Sequence, residues 1–210
     1  MVNIYLIRHG RQNSTLCNVD VELSPEGRRQ AELLRNRMKA YPIDALYSSN
    51  LLRAKETAEI LNTAFSLPHI IKDDIREISF GLMEGQTNEY NDINFKEFKE
   101  EQRKLLQDIP YPGGENGTSV YERVMPVILD MVHSGKKNIA VVTHGGTISV
   151  LMAALFGRNQ AMRFLFGGSL ENTGITQLLY NPELDRFYLE RFNDCAHLEG
   201  HPELCRSNWI

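Results

Sequence analysis

Residues 2–7 (VNIYLI) and 138–143 (NIAVVT) are apolar runs rich in β-branched side chains, with no regular polar alternation. A strand with one wet face alternates, whereas a strand covered on both faces does not. These two runs therefore demand a parallel sheet with helices on either side. The intervening sequence supplies the crossovers. Ser24 followed by Pro25 is an N-cap and first helical residue, and Ala31, Leu34 and Met38 recur at helical spacing, predicting a helix over 25–40. Residues 45–47 predict a short strand, followed by a Ser48-Ser49-Asn50 cap and a helix with Ala54, Ala58 and Leu61 on one face. Ser119 and Glu122 have the spacing of a capping box ahead of a stripe of Val120, Val124, Ile128 and Met131. Pro126 should kink that helix or confine itself to its first turns. A further apolar helix is expected after Thr147, and residues 174–180 and 187–192 read as two strands joined at Asn181-Pro182.

This pattern is α/β: a mostly parallel central sheet covered on both faces, with room for an antiparallel edge. The 210 residues suffice for one domain over 1–210. Residues 88–117 are highly charged, poor in aliphatics and end in Pro and Gly. They read as an exposed insertion, a helix near 94–107 and then a loop, of the kind that shapes a site.

The formal net charge is -4, the pI is about 5.9 and there is no run of five or more lysines or arginines, which argues against nucleic acid as a partner. No apolar stretch reaches membrane-spanning length and no signal-peptide pattern opens the chain, so the expected address is cytoplasmic, without a membrane partner. Cys17, Cys195 and Cys205 are too few and too scattered for a disulfide framework. The sequence carries no signal of oligomeric state.

Ligands of open α/β sheets bind beyond the carboxyl ends of the parallel strands. Both apolar runs end there in His-Gly, as Arg8-His9-Gly10 and His144-Gly145-Gly146. A lone strand-end histidine commonly does no more than satisfy a carbonyl. A matched pair at one sheet edge points to a site, with Gly10 and Gly145 letting a ligand approach the backbone. Arg53 adds a guanidinium in the first turn of the second helix, where the dipole also favours an anion; its plainer alternative is a surface pair with Glu56 or Glu59. Two arginines and two histidines suit a phosphoryl group.

The segments LIRHG, LSPEGRRQA, LYSSNLLRAKETAEIL, REISFGLMEG, PGGE, VVTHGG and NDCAHL, in this order over residues 2–198, resemble the histidine phosphatase superfamily, which contains the cofactor-dependent phosphoglycerate mutases. The resemblance implies a three-layer α/β/α fold of the phosphoglycerate mutase type. It implies a phosphomonoester hydrolase that acts on a small phosphorylated metabolite through a phosphohistidine, without metal or cofactor. His9 would be the nucleophile, and Arg8, Arg53 and His144 would hold the phosphoryl oxygens. Glu77 would protonate the leaving oxygen and then serve as base for water; its plainer alternative is an ion pair with Arg76 or Arg53. Nearby arginines would favour the neutral imidazole that a nucleophile needs.

The loop after R-H-G departs from the family. Gln12 stands where a hydroxyl residue is usual and Thr15 where an asparagine is, and both can still bond a phosphate. The stretch between the two histidines is short for a mutase, which favours a phosphatase over a phosphoglycerate mutase. A phospholigand-binding protein with little turnover would need neither a nucleophile nor a proton donor. A rival constellation, Cys195, His197, His201 and Cys205, offers a Cys2His2 set for zinc. Its spacing is not that of a zinc finger, and the expectation is no metal.

Overall fold

The computed structural model describes residues 1–166 and 169–206. Its centre is a six-stranded sheet of order β3-β2-β4-β1-β5-β6. The strands are β1 (Val2–Arg8), β2 (Ala45–Ser48), β3 (His69–Ile71), β4 (Asn138–Thr143), β5 (Ile175–Asn181) and β6 (Arg186–Asp194). β1 pairs parallel with β4, β4 with β2, and β2 with β3; β5 and β6 close one side as an antiparallel pair. The expected mostly parallel α/β sheet with an antiparallel edge is what forms, with the short β3 added.

The unbroken apolar runs are explained by which side each residue faces. Tyr5, Ile7, Ala140 and Val142 pack with Leu34 and Met38 of α1 (Pro25–Met38) and with Ala54, Ala58 and Leu61 of α2 (Leu52–Asn62). Ile4, Leu6, Ile139 and Val141 pack on the opposite face with Val120, Val124, Ile128 and Met131 of α5 (Gly117–His133) and with Ile148 and Leu151 of α6 (Gly145–Leu155). Both faces are dry, so neither tolerates a polar alternate. Among the described residues, no helix is long and apolar enough to cross a membrane.

Several local expectations change. The capping box at the start of α5 is formed by Asn116 and Ser119, not by Ser119 and Glu122. Asn116 Oδ1 accepts from the Ser119 amide and the Ser119 hydroxyl accepts from the Asn116 amide. Pro126 lies well inside α5, past its first turns, and the helix continues across it. Proline there removes a bond to the carbonyl of Glu122, an exposed residue whose oxygen water can satisfy. The cap of α2 is Leu51 rather than a serine or asparagine, and Asp20 from the loop after β1 accepts the Leu52 amide at 2.7 Å. A side chain from distant sequence does the work that local sequence was expected to do.

The insertion holds two helices, α3 (Asn88–Asn94) and α4 (Lys96–Arg103), broken at Phe95, in place of one over 94–107. It is not wholly exposed, since Asn91 and Tyr111 are buried. Its end is clamped to the REISFGLMEG segment. Gly81 has φ +56°, and a Cβ there would lie 2.2 Å from the Pro112 carbonyl oxygen; a Cβ on Gly114 would lie 2.4 Å from that of Ser79. Two segments far apart in sequence thus meet backbone to backbone beside the carboxyl end of the sheet.

Candidate active site

β1 and β4 are parallel neighbours in register, Arg8 opposite Thr143, so the residues that follow emerge together. The His9 and His144 rings lie 5.0 Å apart between centroids. His9 is buried, and its Nδ1 lies 2.6 Å from the Gly10 carbonyl oxygen. A carbonyl can only accept, so Nδ1 carries the proton and Nε2 keeps its lone pair. That lone pair accepts Arg53 Nε–H at 3.2 Å. Burial, then the charges of Arg53 and Arg8, hold the His9 imidazole well below its usual pKa. His9 is therefore neutral and of one tautomer.

Arg53, in the first turn of α2, is 2% exposed. Its Nη1 donates to the Val19 carbonyl and its Nη2 to Asn18 Oδ1 at 2.7 Å, and the alternative pair with Glu56 or Glu59 is not among its contacts with the described residues. Arg8 donates through Nη1 to the Leu170 carbonyl, while its Nε is buried with no hydrogen-bond partner among the described residues. Burial, reinforced by Arg206, lowers Arg8 to about 9, still cationic at neutral pH. His144 is the N-cap of α6. Its Nε2 lies 2.6 Å from Ser49 Oγ, and its Nδ1 is a second buried atom without a partner among the described residues. Burial and then Arg53 push its imidazole far down as well.

Glu77 does not pair with Arg76 or Arg53. Its carboxylate sits at the start of α6 and accepts the amides of Gly146, Thr147 and Ile78 at 3.2, 3.1 and 2.9 Å. A Cβ on Gly146 would lie 2.6 Å from Glu77 Oε1, so this glycine is what admits the carboxylate. Behind it, Arg123 bonds the Glu77 and Arg76 carbonyls and the Glu115 carboxylate, which gives the PGGE glutamate a structural task.

Arg8, His9, Arg53 and Glu77 line one cavity of about 520 Å³. Gln12 and Thr15 line it too, but the Gln12 amide donates to the Ser14 and Leu16 carbonyls and braces its own loop. Gly10 has a packing reason: a Cβ would lie 2.6 Å from the Gly27 carbonyl oxygen. Gly145 has ordinary clearance from Arg8 and lines a neighbouring cavity. Sequence reasoning missed Asn18, which positions Arg53, and Asn172, whose Nδ2 bonds the His9 carbonyl at 2.7 Å. It also missed Arg206, which reaches the cavity from the tail. Asn18 stands in a loop already marked by its polar residues; the other two carry no local signal.

The Cys/His tail is arranged otherwise. His197 Nε2 meets Thr173 Oγ1 at 2.9 Å, its Nδ1 faces Arg37, and burial lowers it to about 4. His201 faces Glu203, and Cys205 leans on backbone carbonyls. Among the described residues, no group of three or more His, Cys, Asp or Glu is placed to hold a metal ion.

The chain was compared with known proteins. It is 28% identical over 207 residues to the uncharacterized phosphatase PhoE of Bacillus subtilis, covering 95% of this chain and 98% of that one. It is 30% identical over 180 residues to phosphoserine phosphatase 1 of Hydrogenobacter thermophilus, covering 80% and 82%. The structure of a mycobacterial glucosyl-3-phosphoglycerate phosphatase with inorganic phosphate superposes with a TM-score of 0.84 at 26% identity, over 94% of this chain and 99% of that one. Residues 4–195 match the model of the histidine phosphatase superfamily, branch 1. The fold is of the phosphoglycerate mutase type, and the chain belongs to the histidine phosphatase superfamily, as an enzyme of a family that acts without a metal ion.

Proposed function

We propose that the protein hydrolyses monoesters of small phosphorylated metabolites through a phosphohistidine on His9. The observation that carries this reading is the His9 ring: Nδ1 tied to a carbonyl, Nε2 unprotonated, and guanidinium groups around it in a cavity large enough for a small ligand. Nε2 attacks phosphorus, the P–O ester bond breaks, and Glu77 gives a proton to the departing oxygen. In the second step Glu77 takes a proton from water, the water oxygen attacks phosphorus, and the P–N bond breaks. Arg8, Arg53 and His144 stabilise the charge spread over the phosphoryl oxygens. Arg8 and Arg53 line the cavity, while His144 is wholly buried behind it and would have to be uncovered to meet a phosphoryl oxygen.

Some relatives are named phosphoglycerate mutases or mutase-like proteins. A mutase differs in the second acceptor, a sugar-acid hydroxyl in place of water. The test covers both. Purified protein, metal-free, is incubated with an aryl phosphate and with phosphoglycerates, and phosphate release is compared with transfer between positions. Release should dominate, and alkaline quenching should trap an acid-labile phosphoryl group that His9→Ala lacks. Transfer faster than release would overturn hydrolysis, and full activity in His9→Ala would overturn the mechanism.

A further inference from the structure

We propose that Glu84 is a positioning residue for the reaction, one that sets the Arg53 guanidinium at the nucleophile by way of Asn18. The inference rests on the phosphatase reading, in which His9 attacks and Arg53 stabilises the phosphoryl charge. A continuous chain of hydrogen bonds carries it. Arg53 Nε donates to His9 Nε2 at 3.2 Å, Arg53 Nη2 donates to Asn18 Oδ1 at 2.7 Å, and Asn18 Nδ2 donates to Glu84 Oε1 at 2.9 Å.

Donor and acceptor chemistry gives this chain one orientation. A guanidinium only donates, so it must meet Asn18 Oδ1; a carboxylate only accepts, so it must meet Nδ2. The Asn18 amide therefore lies with its dipole between a cation and an anion. Turned over, it would set donor against donor at Arg53 and acceptor against acceptor at Glu84. Arg53 alone could hold only one end of that amide. Glu84 holds the other, and so fixes the acceptor that Arg53 needs to keep Nε on the His9 lone pair.

The two loops that meet here are also tied through their backbones. The Cys17 amide donates to the Gln86 carbonyl at 2.9 Å and the Gly85 amide to the Cys17 carbonyl at 2.8 Å. Asn18 itself has φ +45°, a left-handed conformation that asparagine tolerates better than most residues, and its Nδ2 also reaches toward the Ile78 carbonyl at 3.5 Å. Glu84 is held in turn, since its Oε1 accepts the Phe80 amide at 2.8 Å and the Ser79 hydroxyl at 3.2 Å besides Asn18. Three donors thus converge on one oxygen. The same REISFGLMEG stretch carries Glu77. One segment would then present the proton donor and also anchor the arginine beside the nucleophile, so that acid and nucleophile are set relative to each other by a loop as well as by the sheet.

Steady-state kinetics on an aryl phosphate test this with Glu84→Met, Glu84→Gln, Asn18→Gly and the double variant of Glu84→Met with Asn18→Gly. Glu84→Met should lower kcat by about tenfold, the worth of one hydrogen bond to a charged group. Glu84→Gln should stay within about threefold of wild type, because an amide oxygen can receive the same donors. Asn18→Gly suits the positive φ and leaves Glu84 its bonds to Phe80 and Ser79. It should lose about as much kcat as Glu84→Met, and the double variant should lose no more than either alone. Losses that multiply in the double variant are what a merely structural glutamate would give, and they would overturn the positioning role. Full kcat in Asn18→Gly would overturn it too, and that variant keeps the test decisive if Glu84→Met does not fold. Wild type that releases no phosphate would instead overturn the phosphatase reading, and the proposal with it.

Discussion

His9 and His144 are separated by most of the chain, yet their rings lie 5.0 Å apart. His197 and His201 are close in sequence and turn away from each other, one to Thr173 and Arg37, the other to Glu203. Parallel pairing of β1 with β4 delivers two strand ends to one place, whereas a short irregular tail has no such device. Closeness in space here follows the ladder of the sheet and not closeness in sequence. The tail histidine nevertheless has a function in the fold. His197 holds Thr173, whose amide donates to the Arg8 carbonyl, and so fastens the segment behind Arg8 and His9.

The contrast can be broken by substitution. His9→Ala should lose at least ~10³-fold in kcat, because the covalent route disappears; steady-state kinetics on an aryl phosphate checks this. Arg53→Met should cost roughly 10²–10³-fold, with charge stabilisation lost and the His9 lone pair left without its orienting donor. His197→Ala should act mainly on stability, by about 1–3 kcal/mol in denaturant unfolding, through loss of a buried bond and a partly buried ring. A kcat loss there as large as that of His9→Ala would erase the distinction between the two regions. Cys195→Ser should shift stability within about 1 kcal/mol and leave metal content unchanged by elemental analysis, since no ligand set gathers around it.

A pH titration sharpens the same comparison. His9, His144 and His197 all have folded pKa values below that of free imidazole. A group depressed on folding binds its proton more readily in the unfolded chain. Stability is therefore complete above about pH 6.5 and falls as pH drops, at up to ~1.4 kcal/mol per unit for each histidine. For His197 the decline ends near pH 4, its folded value. The slope should lessen in His197→Ala. Urea unfolding from pH 7 to pH 4 measures it, and a flat profile would contradict neutral burial. Because His9 stays neutral, the acid limb of kcat/KM should not fall at pH 6.5 on its account.

Much of this was legible in the sequence because its signals were either periodic or repeated. Apolar runs without alternation give two-sided strands, Ser24-Pro25 gives the start of α1, and the paired His-Gly ends give the site. What was hidden depends on distant partners. The cap of α2 comes from Asp20, the support of Glu77 from amides of α6, and the orientation of Arg53 from Asn18. Glu77 was read as a proton donor but not as a helix-capping carboxylate, since nothing local to REISF says that Gly146 will leave room for it.

The position of β1 has a consequence for how the chain is made. Of the six strands it is synthesised first, yet in the sheet it lies between β4 and β5, so Asn3 finds its partners only at Asn138 and Leu179. At ~5–20 residues per second, the ribosome needs roughly ten seconds or more to deliver them. Throughout that time Ile4, Tyr5, Leu6 and Ile7, all buried in the finished protein, have no strand beside them. The segment that ends at His9 thus waits longest for its strand partners, and in the proposed reading the site is complete only once β4 has been delivered.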